Sequence, residues 1–170
     1  MIMMVKYFLK VRWNLSLTIR LIYLCLFLLL FSKANSESYV KAGESLIWDS
    51  ENKSYTANGD VEFKNDRFIA FADKMIANYI EENNKEIFTV VELFKNVIIK
   101  YEDETFKGNY AIYTRNDNII KLSGDVSIES QTRLLTGSEL IADIDNNKRI
   151  LNSANNESLV EVLLENNENN

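Results

Sequence analysis

The chain has 170 residues with 19 Lys and Arg against 25 Asp and Glu, a formal net charge of −6, and it contains no His and no Pro. This length is enough for one domain with a sizeable hydrophobic core. Because histidine is absent, the sequence excludes a Ser-His-Asp triad, a Cys-His pair and a metal site built on histidine.

The first 34 residues have the pattern of a secretory signal peptide. Basic residues without any acidic residue precede an unbroken apolar run over residues 21–31, which ends in Ser32-Lys33-Ala34. A basic region, a short apolar region and small residues at the −3 and −1 positions are typical of a cleaved export signal. We therefore predict cleavage after Ala34 and an exported protein. An uncleaved anchor helix is the alternative, although a span needs about 20 apolar residues and Arg20 interrupts any extension of this run.

Removal of this segment changes the charge and the thiol content of the rest. It holds five basic residues and no acidic residue, so the formal charge falls from −6 for the whole chain to −11 for residues 35–170. The only cysteine, Cys25, leaves with it, so we predict a chain without a disulfide. Such an acidic chain repels phosphate backbones, and we expect no nucleic-acid partner.

From residue 35 onward the pattern is that of β-strands, with period-two alternation or continuous apolar and β-branched runs. The clearest segments are residues 55–63, 87–91, 97–99, 119–122 and 126–129. Short breaks rich in Asn, Asp and Gly separate them by about eight to twelve residues, which is typical of an all-β meander, sandwich or jelly roll. We predict one β domain over residues 35–165 and a disordered polar tail over residues 166–170.

A repeat runs through these strands. Three tripeptides define its copies: Gly59-Asp60-Val61, Lys95-Asn96-Val97 and Gly124-Asp125-Val126. At one constant offset after each valine comes a small residue, followed by an apolar pair. The small residues are Ala72, Gly108 and Gly137, and the pairs are Met75 with Ala77, Ala111 with Tyr113, and Leu140 with Ala142. The unit predicts a strand, a turn and a second strand, with a small residue where backbones approach or bend.

These motifs resemble the signature of the OstA-like family of lipopolysaccharide-transport periplasmic proteins. The stretch from Gly59 to Met75 has the family's Gly-Asn/Asp-Val strand, its turn, its second strand and its Ala-Asp-Lys-hydrophobic ending. A second match runs from Ile120 to Ile128 and continues at Leu135. The resemblance extends over residues 39–164. It implies an all-β fold, a V-shaped open antiparallel jelly roll built from repeated strand-turn-strand units, whose apolar inner face holds acyl chains.

The resemblance also implies the ligand and the side chains that meet it. An apolar slot binds a lipid at about 25 cal/mol per Å² of buried area, while the sugar and phosphate headgroup stays in water. The candidate lipid-binding residues are Trp48, Tyr55, Val61, Phe63, Ile69, Phe71, Met75, Val97, Ile99, Tyr113, Leu122, Val126, Ile128 and Leu140. The alternative, which the residues alone leave open, is that they fill a closed sandwich core.

The partners implied by the resemblance bind at the ends of the sheet. An unclosed jelly roll exposes an edge strand at each end, and such edges pair with strands of other chains. The candidate partner-binding residues are Tyr39, Val40, Val160, Val162 and Leu164. The family uses such edges to join inner- and outer-membrane transport components and to form head-to-tail homo-oligomers. A short amphipathic helix or a buried closing strand is the alternative for residues 158–164.

The resemblance therefore implies a periplasmic bridge protein that binds lipopolysaccharide through its lipid A acyl chains and carries it from the inner to the outer membrane. We expect no catalysis, no cofactor and no metal. An inner-membrane-anchored component of the same system and a ligand-free structural β-scaffold are alternatives. A carboxylate pair acting on glycosides is a further one, for which Asp73 and Asp143 are the candidates.

Overall fold

The computed structural model describes residues 38–153 and 159–164. The predicted signal peptide, its cleavage site and the tail over residues 166–170 lie outside this range. In the described residues all regular structure is β-strand. The strands are β1 (Tyr39–Lys41), β2 (Ser45–Asp49), β3 (Ser54–Lys64), β4 (Ile69–Glu82), β5 (Lys85–Tyr101), β6 (Glu104–Thr114), β7 (Ile119–Glu129), β8 (Arg133–Asp143), β9 (Lys148–Asn152) and β10 (Glu161–Leu164). The same residues include no helix of the length and apolarity needed to cross a membrane.

The ten strands form an antiparallel sheet that stays open at its edges. Strands β3 to β8 pair in chain order as successive hairpins. At one edge β1 and β2 both pair with β3, and at the other edge β9 and β10 both pair with β8. Among the described strands the two edges do not pair with each other. The predicted all-β, open antiparallel architecture is therefore confirmed.

Short polar turns connect the hairpins because their residues accept left-handed backbone torsion. Asn83 and Asn84, with φ of 52° and 60°, form the two-residue connection between β4 and β5. This is the torsion that type I′ hairpins require, and Asn tolerates it better than most residues. Elsewhere an aspartate caps the turn: Asp49 accepts hydrogen bonds from the backbone N–H groups of Glu51 and Asn52 at 3.0 and 2.9 Å.

A line of β-bulges crosses the sheet from β3 to β8. It is marked by three pairs of consecutive residues with positive φ, namely Gly59-Asp60 (73° and 43°), Lys95-Asn96 (63° and 49°) and Gly124-Asp125 (80° and 51°). The register shifts at this level in all five successive strand pairs. Because a bulge adds one residue and bends its strand, aligned bulges bend the whole sheet along one line.

The predicted repeat is confirmed as the unit that builds this line. Each repeated valine is the direct cross-strand partner of the small residue that follows it in the repeat. The partners are Val61 with Ala72, Val97 with Gly108, and Val126 with Gly137. A Cβ atom at Gly137 would lie 2.7 Å from Cγ of Leu151 and 3.0 Å from the backbone oxygen of Asn152. A side chain at position 137 would therefore clash with β9, which explains the glycine in this copy of the repeat.

The bulge line divides the sheet into two arms. The first arm carries β1 and β10, the second arm carries β2 and β9, and the central strands run through both. Aromatic side chains of the two arms meet: the rings of Phe63 and Phe88 are 5.7 Å apart, and those of Phe68 and Tyr113 are 5.0 Å apart. The sheet is thus V-shaped, with the bulge line at the vertex and the core between the arms.

Charged side chains connect the free ends of the two arms. Arg67 of the first arm donates to Asp145 of the second at 3.2 Å. Glu104 of the first arm accepts from Arg149 of the second at 3.0 Å and from Arg133 at 3.2 Å. The side chains of Arg149 and Glu104 are only 13% and 11% exposed. One largely buried carboxylate therefore holds two guanidinium groups at the ends of the arms.

Left-handed torsion at the vertex predicts that one substitution lowers the free energy of unfolding and that a second does not. Gly124→Ala should lower the free energy of unfolding by about 1–2 kcal/mol, because Ala is strained at positive φ. Its new Cβ would also lie 2.9 Å from Cβ of Asn109. Lys95→Gly, at the equivalent place in the middle repeat, should cause no loss. Urea unfolding followed by circular dichroism measures both, and a loss in Lys95→Gly or none in Gly124→Ala would contradict the assignment of strain.

The ion pair between the arms gives a second prediction. Glu104→Ala leaves two guanidinium groups without their carboxylate, one of them largely buried, and should lower the free energy of unfolding by about 3 kcal/mol. The matched control is Glu81→Ala, which removes the exposed partner of Lys53 and should cost less than about 1 kcal/mol. Equal losses in the two variants would show that Glu104 does not stabilise contact between the arms.

Candidate ligand-binding slot

The space between the arms, here called the slot, is lined by the inner face of the sheet. Ten of the fourteen candidate lipid-binding residues lie on this face and are at most 4% exposed. They are Val61, Phe63, Met75, Val97, Ile99, Tyr113, Leu122, Val126, Ile128 and Leu140. Their side chains pack against each other across the slot in a continuous apolar cluster. The sequence pattern therefore located the inner face correctly for this group.

Two further candidates, Ile69 and Phe71, lie on the outer face. They pair with Lys64 and Glu62, whereas the alanines beside them in β4 are buried on the inner face. The register shift opposite the bulges of β3 and β5 is the reason, because two exposed residues follow each other in β4 at this level and its alternation shifts by one. Simple alternation, which ignores this shift, put residues 69, 71 and 75 on one face.

Trp48 and Tyr55 lie on the inner face near the β2 edge, where the slot meets solvent. Trp48 is 59% exposed, and its Nε1 donates to the hydroxyl of Tyr79 at 2.8 Å. The ring of Tyr55 packs 5.3 Å from Tyr79 and 5.8 Å from Phe88. Burial, together with a 2.6 Å hydrogen bond that the Tyr55 hydroxyl donates to Glu86, raises the pKa of Tyr55 to about 12. This cluster is an aromatic rim on the second arm.

Tyr79 and Phe88 were not among the residues singled out in the sequence. Tyr79 continues the period-two series of Met75 and Ala77, so extending that series would have found it. Phe88 lies in an apolar run whose alternation gives no face. A bulge between Asn78 and Tyr79 adjusts the register of this hairpin, so its pairing depends on the folded sheet.

At the other end of the slot an arginine lies over two aromatic rings. The guanidinium carbon of Arg149 is 5.2 Å from the ring centre of Tyr101 and 5.3 Å from that of Phe106. The pKa of Tyr101 is raised, mainly because the residue is buried. Tyr101 continues the alternation of Val97 and Ile99, whereas no sequence signal distinguishes Arg149 from a solvated turn residue. The slot thus ends in a stacked, ion-paired cation.

The predicted partner-binding residues lie at the two edges of the first arm. Tyr39 and Val40 are in β1, where the Tyr39 hydroxyl donates to Glu62 at 2.5 Å. Val162 and Leu164 are in β10 and exposed, and Val160 directly precedes that strand. The chain from Tyr39 to Asp49 forms two strands, β1 and β2, which are separated at the level of the bulges. Gly43, between them, donates its N–H to the carbonyl of Gly59.

The two aspartates considered as an acid/base pair have other partners. Both carboxylate oxygens of Asp73 lie 3.0 Å from the side-chain amide nitrogen of Asn96, at the bulge line. Asp143 caps the turn between β8 and β9 and accepts from the backbone N–H of Asn146 at 3.0 Å. Hydrogen bonds from Asn146 hold the pKa of the Asp143 carboxyl below its usual value. Each aspartate has a structural hydrogen bond where it lies.

The chain was compared with known proteins in three ways. Its fold resembles that of LptH, the LptA-homologous periplasmic component of the conserved lipopolysaccharide transport device from Pseudomonas aeruginosa, with a TM-score of 0.66. That match has 13% sequence identity and covers 79% of this chain and 99% of LptH. The curated proteins contain no significant match.

A family model agrees with the resemblance that the sequence motifs carry. Residues 39–148 match the model described as LptA/(LptD N-terminal domain) LPS transport protein. This range includes the three repeats, the bulge line and the whole run of hairpins from β3 to β8. The chain therefore belongs to the LptA/LptD N-terminal-domain family of lipopolysaccharide transport proteins.

Proposed function

We propose that this protein is a periplasmic bridge component that carries lipopolysaccharide from the inner to the outer membrane, with the acyl chains held in the slot. The observation that supports this most strongly is the continuous apolar inner face of a sheet bent into two arms. Strands β3 to β8 run through both arms at the vertex, whereas among the described residues only side-chain contacts connect the free ends of the arms. Binding and carriage, without a reaction or a cofactor, are the function that this arrangement favours.

The energetics of such a slot favour exchange of one apolar contact for another. Burial of apolar surface contributes about 0.8 kcal/mol per methylene group and is not directional. If the arms separate, an acyl chain replaces the contacts that inner-face residues such as Phe63 and Leu140 now make across the slot. The separated arms would then remain covered by apolar groups, and the backbone hydrogen bonds of the sheet would stay intact.

The edges of the sheet supply the means of joining neighbours. Strands β1 and β2 at one edge, and β9 and β10 at the other, each pair on one side among the described strands. Unpaired backbone groups on an edge can take up a strand from another chain. The exposed apolar residues are Leu46, Ile47 and Trp48 at one edge and Val162, Leu163 and Leu164 at the other. We propose that membrane components of the transport system, or further copies of this chain, pair at these edges.

A ligand-free structural scaffold is a second candidate, and one observation favours it. The inner-face side chains are almost completely buried against each other, as in a closed core. An inner-membrane-anchored component of the same system differs from the bridge in residues 1–37, which lie outside the described range. The proposed periplasmic location depends on the same segment being a cleaved signal.

Photo-crosslinking distinguishes a lipid conduit from a closed scaffold. A photoreactive residue at Phe63 or Ile99 should crosslink to lipopolysaccharide when the full chain is expressed and exported in a lipopolysaccharide-producing bacterium. The matched controls are the neighbouring outer-face positions Glu62 and Lys100, which should give none. Absence of crosslinks from all four positions in a well-folded protein would favour the scaffold and reject the proposed transport.

Edge pairing between copies makes a separate prediction. Ile47→Lys places a charge on the exposed β2 edge and should weaken self-association about tenfold or more, since lysine on an edge strand opposes strand addition. Ile76→Lys is the control, because Ile76 lies in the same outer-face row but on the central strand β4. Sedimentation equilibrium gives the association constants. Equal association in the wild-type protein and Ile47→Lys would place the contact elsewhere.

A further inference from the structure

The arginines of the domain are confined to the ends of the strands. Beyond residue 34 the chain has four: Arg67 in the turn between β3 and β4, Arg115 directly after β6, Arg133 as the first residue of β8, and Arg149 as the second of β9. The lysines, by contrast, are also found along strand interiors. We call these four residues the arginine rim.

The members of the arginine rim lie at the free ends of the two arms. Arg67 and Asp145 join one part of the free ends, and Arg149, Glu104 and Arg133 join another. Phe68, which follows Arg67, packs on Tyr113, two residues before Arg115. The rim therefore borders the slot on the side opposite the vertex, where a lipid with its acyl chains between the arms would present its headgroup.

Carboxylates and guanidinium groups lie side by side at this border. Residues 35–170 carry a formal charge of −11, and Asp66 and Asp145 lie beside Arg67. The single carboxylate of Glu104, however, is shared by two guanidinium groups. Guanidinium offers a planar fork of donors that fits a carboxylate or a phosphate through two hydrogen bonds. A phosphate monoester also offers two oxygens to the guanidinium fork, and it carries more negative charge than the carboxylates that the arginines now bind.

We propose that the arginine rim binds the phosphate groups of a lipid headgroup while the acyl chains of the same lipid occupy the slot. This inference rests on the proposed lipid-carrying function and names the part of the ligand that is recognised. Separation of the arms breaks the Arg67–Asp145 and Arg149–Glu104 pairs and frees guanidinium groups beside the headgroup. Their new hydrogen bonds to phosphate offset the lost pairs, so a phosphorylated lipid opens the slot more readily than a neutral one.

The test compares lipids that differ in phosphate alone. Binding of the full-length protein to radiolabelled diphosphoryl lipid A and to enzymatically dephosphorylated lipid A is measured at one fixed salt concentration. The diphosphoryl form should bind about tenfold or more tightly, because hydrogen bonds to charged groups are the stronger kind. Inorganic phosphate alone is the third probe and should bind at least about a hundredfold more weakly than diphosphoryl lipid A, since it gains nothing from the slot.

Variants assign any preference to the rim. The double variant Arg67→Gln with Arg133→Gln changes two side chains that are 42% and 52% exposed, so its fold should persist. It should weaken binding of diphosphoryl lipid A about tenfold and leave dephosphorylated lipid A unchanged. The control, Lys100→Gln with Lys121→Gln, removes the same charge from the outer face. Arg67→Lys with Arg133→Lys should restore part of the affinity, because charge remains but the fork is lost.

The outcomes separate the two proposals. Equal binding of the two lipids overturns phosphate recognition while leaving lipid carriage intact, as does an equal loss in the arginine and lysine double variants. Absence of binding by either lipid overturns both proposals. Tight, rim-dependent binding of inorganic phosphate would assign the arginines to a free anion and overturn the headgroup assignment.

Discussion

The structure depends on left-handed backbone torsion at one level of the sheet. At Gly59-Asp60, Lys95-Asn96 and Gly124-Asp125, two successive residues take positive φ, and the register shifts in every strand pair from β3 to β8. Buried backbone donors and acceptors must be paired, so bulges out of line would interrupt the hydrogen bonds of neighbouring strands. Because the bulges are aligned, they interrupt the hydrogen bonds of all the strand pairs at the same level, and the whole sheet bends along that line.

The bend creates the slot and determines which contacts hold the two arms together. Every long strand passes through the vertex, so the arms cannot separate there without breaking backbone hydrogen bonds. At the free ends, Arg67 with Asp145 and Arg149 with Glu104 hold the arms together, and apolar contact fills the space between. The exposed Arg67–Asp145 pair contributes little and the largely buried Arg149–Glu104 pair contributes more, whereas the apolar contact between the arms is not directional.

Charged and aromatic side chains are distributed unevenly over the domain. The domain is acidic overall, which opposes binding of polyanions over its general surface. Its arginines lie at the ends of the arms, where Arg149 also stacks on Tyr101 and Phe106. The aromatic rim of Trp48 and Tyr79 lies near the β2 edge. Apolar, aromatic and cationic groups thus occupy different parts of the same slot and border.

The sequence by itself determined the strands, the turns, the repeat and most of the inner face. These depend on local properties: period-two alternation, the torsion preferences of Asn, Asp and Gly, and small residues at fixed spacing. Local reasoning failed for Ile69 and Phe71, because the register shift opposite the bulges of β3 and β5 changes the alternation within β4. Tertiary structure alone decided which side chains meet between the arms. Arg149 and Glu104 are 45 residues apart, and only the bend along the bulge line brings such distant positions into contact.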